Sequence, residues 1–186
     1  MSGPPMEASE ALSAWVHRVE DIPERGLAME RAANEAELAA VARALDIPAC
    51  HRLDVSYRLK PLGGGRYRLT GTMAADVTQS CIVTLEPIDS EIRETFEEEY
   101  WPPEMVHEDA EGKNGEAEQE ILSQHSREVI EQGSIAVGRL VYEQIATALD
   151  PYPRRSDAAF QWQEPDADAA ASDSPFAVLA RLKDPK

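Results

Sequence analysis

The chain is poor in cysteine and in positive charge, and each shortage removes a class of function. Two cysteines, Cys50 and Cys81, in 186 residues make no disulfide framework, so reduced thiols are expected and redox chemistry is not. Only 18 Lys and Arg stand against 35 Asp and Glu, a formal net charge of −17 at pH 7. Nucleic-acid binders carry a basic face, because neutralising phosphates and releasing counterions supplies most of their affinity. Extensive contact with bare RNA or DNA is therefore disfavoured. No apolar run approaches the roughly 20 residues of a membrane helix, and the N-terminus lacks the basic-then-apolar layout of a secretion signal. A cytoplasmic protein with no membrane segment is the expectation. The four histidines, His17, His51, His107 and His125, show no H-x-x-x-H spacing, so that metal-hydrolase motif is missing. Gly63, Gly64 and Gly65 lack the Lys-Ser/Thr continuation of a phosphate loop. No catalytic residue, cofactor or metal site is read from the sequence.

What the chain does have is 42% hydrophobic sequence, enough at this length for one real core. A polar, proline-bearing leader over residues 1–12 reads as disordered, and residues 13–183 as one domain. WVHRV suits a short strand, and residues 27–31 a second. Asn34 with Glu37 three residues on makes a capping box ahead of Leu38, Val41, Ala42 and Leu45, which predicts a helix ending before Asp46-Ile47-Pro48. Leu53, Val55, Tyr57 and Leu59 then alternate with polar residues; KPLGGGR is a turn, and the alternation resumes from Tyr67 to Val77. That is a long β-hairpin. VTQSCIVTLEP continues as the next strand, and Ile88, Ile92, Phe96 and Tyr100 mark the inward face of another. Residues 97–131 carry twelve Asp or Glu against Lys113 and Arg127, so a flexible acidic insertion is expected near residues 102–126. Ser134 is positioned to cap a second helix whose apolar stripe ends at Asp150-Pro151-Tyr152-Pro153. A second flexible insertion falls near residues 156–173, before a short helix begun by Ser174-Pro175.

Cys81 lies in a β-branched run, where it is a metal ligand, a nucleophile or a packed residue. Strand parity groups it with Gln79, Val83 and Leu85, and burial as a small hydrophobe is the reading the residues favour. Cys50 and His51 leave opposite faces of a strand, so sequence neighbours there form no dyad. Asp150 opposes the dipole at a helix C-terminus, so it is either tolerated or hydrogen-bonded beyond the helix. Tyr152 sits in a proline-fixed loop that reads equally as a bland turn or a partner-facing display. Arg52, Arg58, Lys60, Arg66 and Arg68 around the hairpin are the one basic cluster suited to RNA contact.

VTQSCIVTLEP after a long hairpin, then the acidic insertion, IAVGRLVYEQIATALDPYPR and a terminal PFAVLARLK together resemble the YceD family, the large ribosomal RNA subunit accumulation proteins, in its alphaproteobacterial branch. The resemblance implies a non-catalytic α+β protein needed for accumulation of large-subunit (23S) ribosomal RNA or for ribosome assembly. It marks Gln79, Cys81, Thr84, Leu85, Glu86 and Pro87, with Asp150, Pro151, Tyr152 and Pro153, as signature or partner-facing candidates. Many members read C-x-x-C in this stretch with further cysteines downstream, which suits a four-thiolate zinc site. Here Thr84 stands in the second position and residues 150–154 contain no cysteine. No zinc is expected, the place being held by packing and hydrogen bonds.

The expected fold is therefore α+β: an antiparallel sheet, free to curl toward a barrel, covered by two main helices. The expected function is a binding module whose acidic surface meets a basic ribosomal or RNA-processing protein. The alternatives are a metal-dependent RNA-processing enzyme and an acidic adaptor unrelated to ribosomes. Oligomeric state is left open.

Overall fold

A computed structural model describes residues 11–105 and 127–159. Its frame is the two-residue periodicity of the middle of the chain. Strands β3 (Ala49–Gly63), β4 (Arg66–Ser80) and β5 (Pro87–Trp101) form a long antiparallel meander. The register runs from Gly63 opposite Arg66 to Ala49 opposite Thr78, with a bulge between Cys50 and Arg52. It continues from Tyr67 opposite Tyr100 to Ser80 opposite Pro87. Strand β2 (Leu27–Ala32) pairs antiparallel with β3, and β6 (Arg127–Val129) pairs parallel with the end of β5. The order β2-β3-β4-β5-β6 has two edges, so the sheet is α+β in setting and does not close into a barrel.

One face of this sheet is the core. Leu53, Val55, Tyr57 and Leu59 of β3, Leu69, Met73, Ala75 and Val77 of β4, and Ile92, Phe96 and Tyr100 of β5 are all buried. Helix α1 (Glu35–Ala44) begins as the residues dictate. Asn34 Oδ1 accepts the N–H groups of Ala36 at 3.0 Å and Glu37 at 3.1 Å, and Glu37 Oε2 accepts the Asn34 N–H at 2.9 Å. Helix α2 (Val137–Ala148) buries Val137, Leu140, Val141 and Ile145, and the Tyr142 hydroxyl ties it to the end of α1 by donating to the Ala44 carbonyl.

Three expectations are corrected. Ser134 caps no helix: β7 (Ser134–Ala136) pairs antiparallel with β1 (Val16–Arg18), and α2 starts after Ala136 without a side-chain cap. Ala11 and Leu12 are buried, so the N-terminal packing begins inside the stretch read as leader. Cys81 is not in a strand. β4 stops at Ser80, residues 81–86 form a turn, and Leu85 takes a left-handed φ of 61°. β-branched propensity yields here because the turn has better partners. Cys81 N–H donates to the Glu86 carbonyl, Leu85 N–H to the Cys81 carbonyl, and Ile82 N–H to the distant Pro153 carbonyl. The acidic insertion from residue 106, His107 and His125, and the helix expected at Ser174 lie outside the described residues.

Candidate functional site

The signature residues, more than sixty positions apart in the chain, converge at one end of the sheet. Gln79 Nε2 donates to the Asp150 carbonyl at 2.9 Å, and Ile82 N–H to the Pro153 carbonyl at 2.9 Å. Arg155 adds an ion pair to Glu86 at 3.1 Å and another to Asp157 at 2.9 Å. Asp150 is accounted for by the loop: its Oδ1 accepts the Tyr152 N–H at 2.9 Å, an Asx turn that starts the proline segment. With backbone groups so occupied, the two loops turn apolar side chains outward. Leu85 is 78% exposed, Tyr152 73% and Ile82 54%, among the most exposed large hydrophobics of the described residues. Glu86, Asp150 and Asp157 on the same two loops are exposed too, Glu86 and Asp157 sharing Arg155. An exposed aromatic and two aliphatics thus stand on loops clamped from behind. Ile82 and Arg155 were missed from sequence, because a β-branched run signals a strand and says nothing of a contact across seventy residues.

Cys81 itself is fully covered, as its packing reading expects, yet its surroundings are polar. The Thr84 hydroxyl first, then the N–H groups of Arg155, Thr84 and Val83, point at the sulfur and stabilise the thiolate, which brings the thiol down to about 6. Thr84, at the position of the family's second cysteine, also reaches Glu86 Oε2, its hydroxyl donating at 3.3 Å. A four-thiolate metal does not fit: Cys81 is the one thiol here and backbone N–H groups surround it. Cys50 is on β3, its S–H 3.6 Å from the Arg52 carbonyl and its thiol pushed up by burial. Among the described residues no group of three or more His, Cys, Asp and Glu is placed to hold a metal. His51 turns away to the Thr78 hydroxyl at 2.8 Å, so it forms no dyad with Cys50.

The depressed thiol makes a pH prediction. Between about 6 and about 9 an unfolded chain holds the Cys81 proton and the folded one does not, so stability rises with pH across that window and the contribution is gone below it. Cys81→Ser is expected to flatten this rise in urea midpoints taken from pH 6 to pH 9. His17 acts in the same sense at lower pH: burial, then Arg31, lowers its pKa below the ordinary 6.5. A rise that persists unchanged in the serine variant contradicts the thiolate.

The five basic candidates share the outer sheet face, but they do not form a basic patch. Arg52 meets Asp76 at 2.8 Å, Asp54 at 2.9 Å and Glu91 at 3.2 Å. Arg68 meets Glu99 at 2.6 Å and Glu97 at 3.3 Å. Arg66 stacks 5.0 Å over the Trp101 ring. Arg58, Lys60 and Arg66 make no ion pair among the described residues, and Arg52 and Arg68 are matched by acids. A cleft of about 420 Å³ between β5, β6 and α2 also mixes charges: Arg139 lies 2.9 Å from Glu143 and 3.6 Å from both Glu128 and Glu131. Tyr100 on its wall is raised by burial and then by Glu128, Glu98 and Glu143, so the phenol stays protonated.

The model of a family described as Large ribosomal RNA subunit accumulation protein YceD matches residues 69–183, more than half of the chain and inclusive of both clamped loops. No curated protein and no solved structure is a significant match. Among the described residues no helix is long and apolar enough to cross a membrane.

Proposed function

The chain belongs to the YceD family of large ribosomal RNA subunit accumulation proteins, and we propose that it serves this ribosome-related role without catalysis, by docking a basic ribosomal or RNA-processing protein. The observation that carries this reading is the corner where residues 81–86 and 150–155 are bonded together and display Ile82, Leu85 and Tyr152. Apolar side chains held on a rigid loop pair lose little entropy on binding, and the acids around them repel phosphate and attract cationic protein. The paired state of Arg52 and Arg68 supports the same reading, because neutralised guanidiniums have little left for RNA.

A pull-down from lysate at low salt is expected to recover basic ribosomal or RNA-processing proteins, with recovery falling steeply as salt is raised. The pair Leu85→Asp and Tyr152→Ala is expected to lower it about tenfold, the size of one lost hot spot. Failure to recover any such protein contradicts the proposal. So does retention that is indifferent to both salt and the two substitutions.

A further inference from the structure

Among the described residues, the outer edge of β5 pairs with another strand only at its end. Its inner side is bonded to β4 along the whole strand. On the other side, among the described residues, β6 takes only Glu99, Tyr100 and Trp101. Alternate residues of 87–98 therefore point their N–H and C=O groups out of the sheet. Such an edge is a template for an added strand, and most proteins shorten or cover it.

Charge decides what fits. Residues 88–98 carry Asp89, Glu91, Glu94, Glu97 and Glu98 against the single Arg93. The acids alternate onto both faces of the strand: Asp89, Glu91 and Glu97 lie with the outer residues of the sheet, Glu94 and Glu98 with Ile92 and Phe96. Glu98 is buried and accepts the Glu99 N–H, so Glu94 is the acid offered on the inner side. On the outer side Glu91 shares Arg52 with Asp54 and Asp76, and Glu97 shares Arg68 with Glu99, so acids outnumber the bases they pair with. A second copy of the same edge brings like charges face to face, which is destabilising. An extended lysine- or arginine-rich strand meets an opposite charge whichever way its side chains alternate. The parallel pairing of β6 already demonstrates that this edge accepts main-chain hydrogen bonds. The edge also starts at Pro87, directly after the turn that exposes Leu85.

We infer that residues 87–98 are a strand-addition site for an extended basic segment of a protein partner, main-chain hydrogen bonds supplying affinity and the alternating acids supplying selection. This inference rests on the proposal that the partner is a basic protein, and it specifies where and in what conformation that partner is held.

The test is hydrogen exchange on the full chain, with and without a peptide of alternating lysine and valine. A second peptide of the same sequence is N-methylated at alternate backbone nitrogens, so it keeps the charge and loses half its donors. The first peptide is expected to slow the outward amides of residues 87–98 about tenfold or more, and the methylated peptide to leave them unchanged. Glu94→Lys is expected to weaken the first peptide about tenfold at low salt. If both peptides bind alike, or protection appears elsewhere, the edge is not the site, while a basic partner recovered from lysate still stands. No binding of either peptide also overturns the edge. Amides already slow in the protein alone mean that its own chain covers the strand; slowing only at high protein concentration means a second copy does. Either result overturns the inference.

Discussion

Trp15→Ala is expected to destabilise the fold by about 3–5 kcal/mol, the usual cost of emptying a large buried aromatic site. Trp15 has 0% exposure and ties the N-terminal segment to three different elements. Its indole N–H donates to Glu37 Oε1 at 2.8 Å, and the Arg31 guanidinium lies 4.7 Å over its ring. Its carbonyl accepts the Gly138 N–H at 3.0 Å. Glu37 is the hinge of this arrangement, since its other oxygen closes the capping box of α1. Helix start and tryptophan burial are thus coupled through one carboxylate. Trp15→Phe keeps most of the apolar volume and loses the indole donor, for an expected cost of about 1.5–3 kcal/mol, the range of a hydrogen bond to a charged group. Urea denaturation of the two variants checks both figures. A loss below about 1 kcal/mol for the alanine variant, less than the cost of a typical core truncation, contradicts the role given to Trp15.

Gly138→Val is expected to cost roughly 3 kcal/mol, at the upper end for forcing atoms into a packed site. The reason is a close approach of backbones. A Cβ built at Gly138 falls 2.2 Å from the Leu12 carbonyl oxygen and 2.7 Å from Leu12 Cβ. Neither neighbour is the free end of a flexible side chain, so residues 11–15 have to leave α2. Gly138→Ala reverses an ordinary sign: a solvent-facing helix gains up to about 1 kcal/mol from alanine in place of glycine, whereas here the clash outweighs that gain. Exchange of the Trp15 and Gly138 amides is expected to quicken in both variants. Because Trp15→Ala and Gly138→Val release the same segment, their combined loss is expected to fall short of the sum. Full additivity in the double variant contradicts a shared mode of action.

The elements legible in the sequence were those written in neighbouring residues. The alternation around Leu53–Leu59 and Tyr67–Val77 placed a hairpin, and Asn34 with Glu37 placed a helix start; both stand as read. Inward-facing Ile92, Phe96 and Tyr100 stand as well. The site was legible only in part. Gln79 to Pro87 and Asp150 to Pro153 were marked by resemblance, but nothing in their spacing joined them, and Cys81 was put in a strand. The basic cluster was visible as residues, while the carboxylates that neutralise Arg52 and Arg68 arrive from strands up to 39 positions away.

By itself, the amino-acid order determined the sheet's faces, the capped helix and the acidic balance, because side-chain alternation, a three-residue cap and net charge act locally or by simple summation. Tertiary structure alone decided that Ser134 pairs with Arg18 in a strand, that a β-branched run bends at Cys81 to meet Pro153, and that, among the described residues, β6 takes only the end of β5. Those outcomes depend on hydrogen bonds between segments far apart in the chain, whose formation outweighs the weak local preferences that point elsewhere.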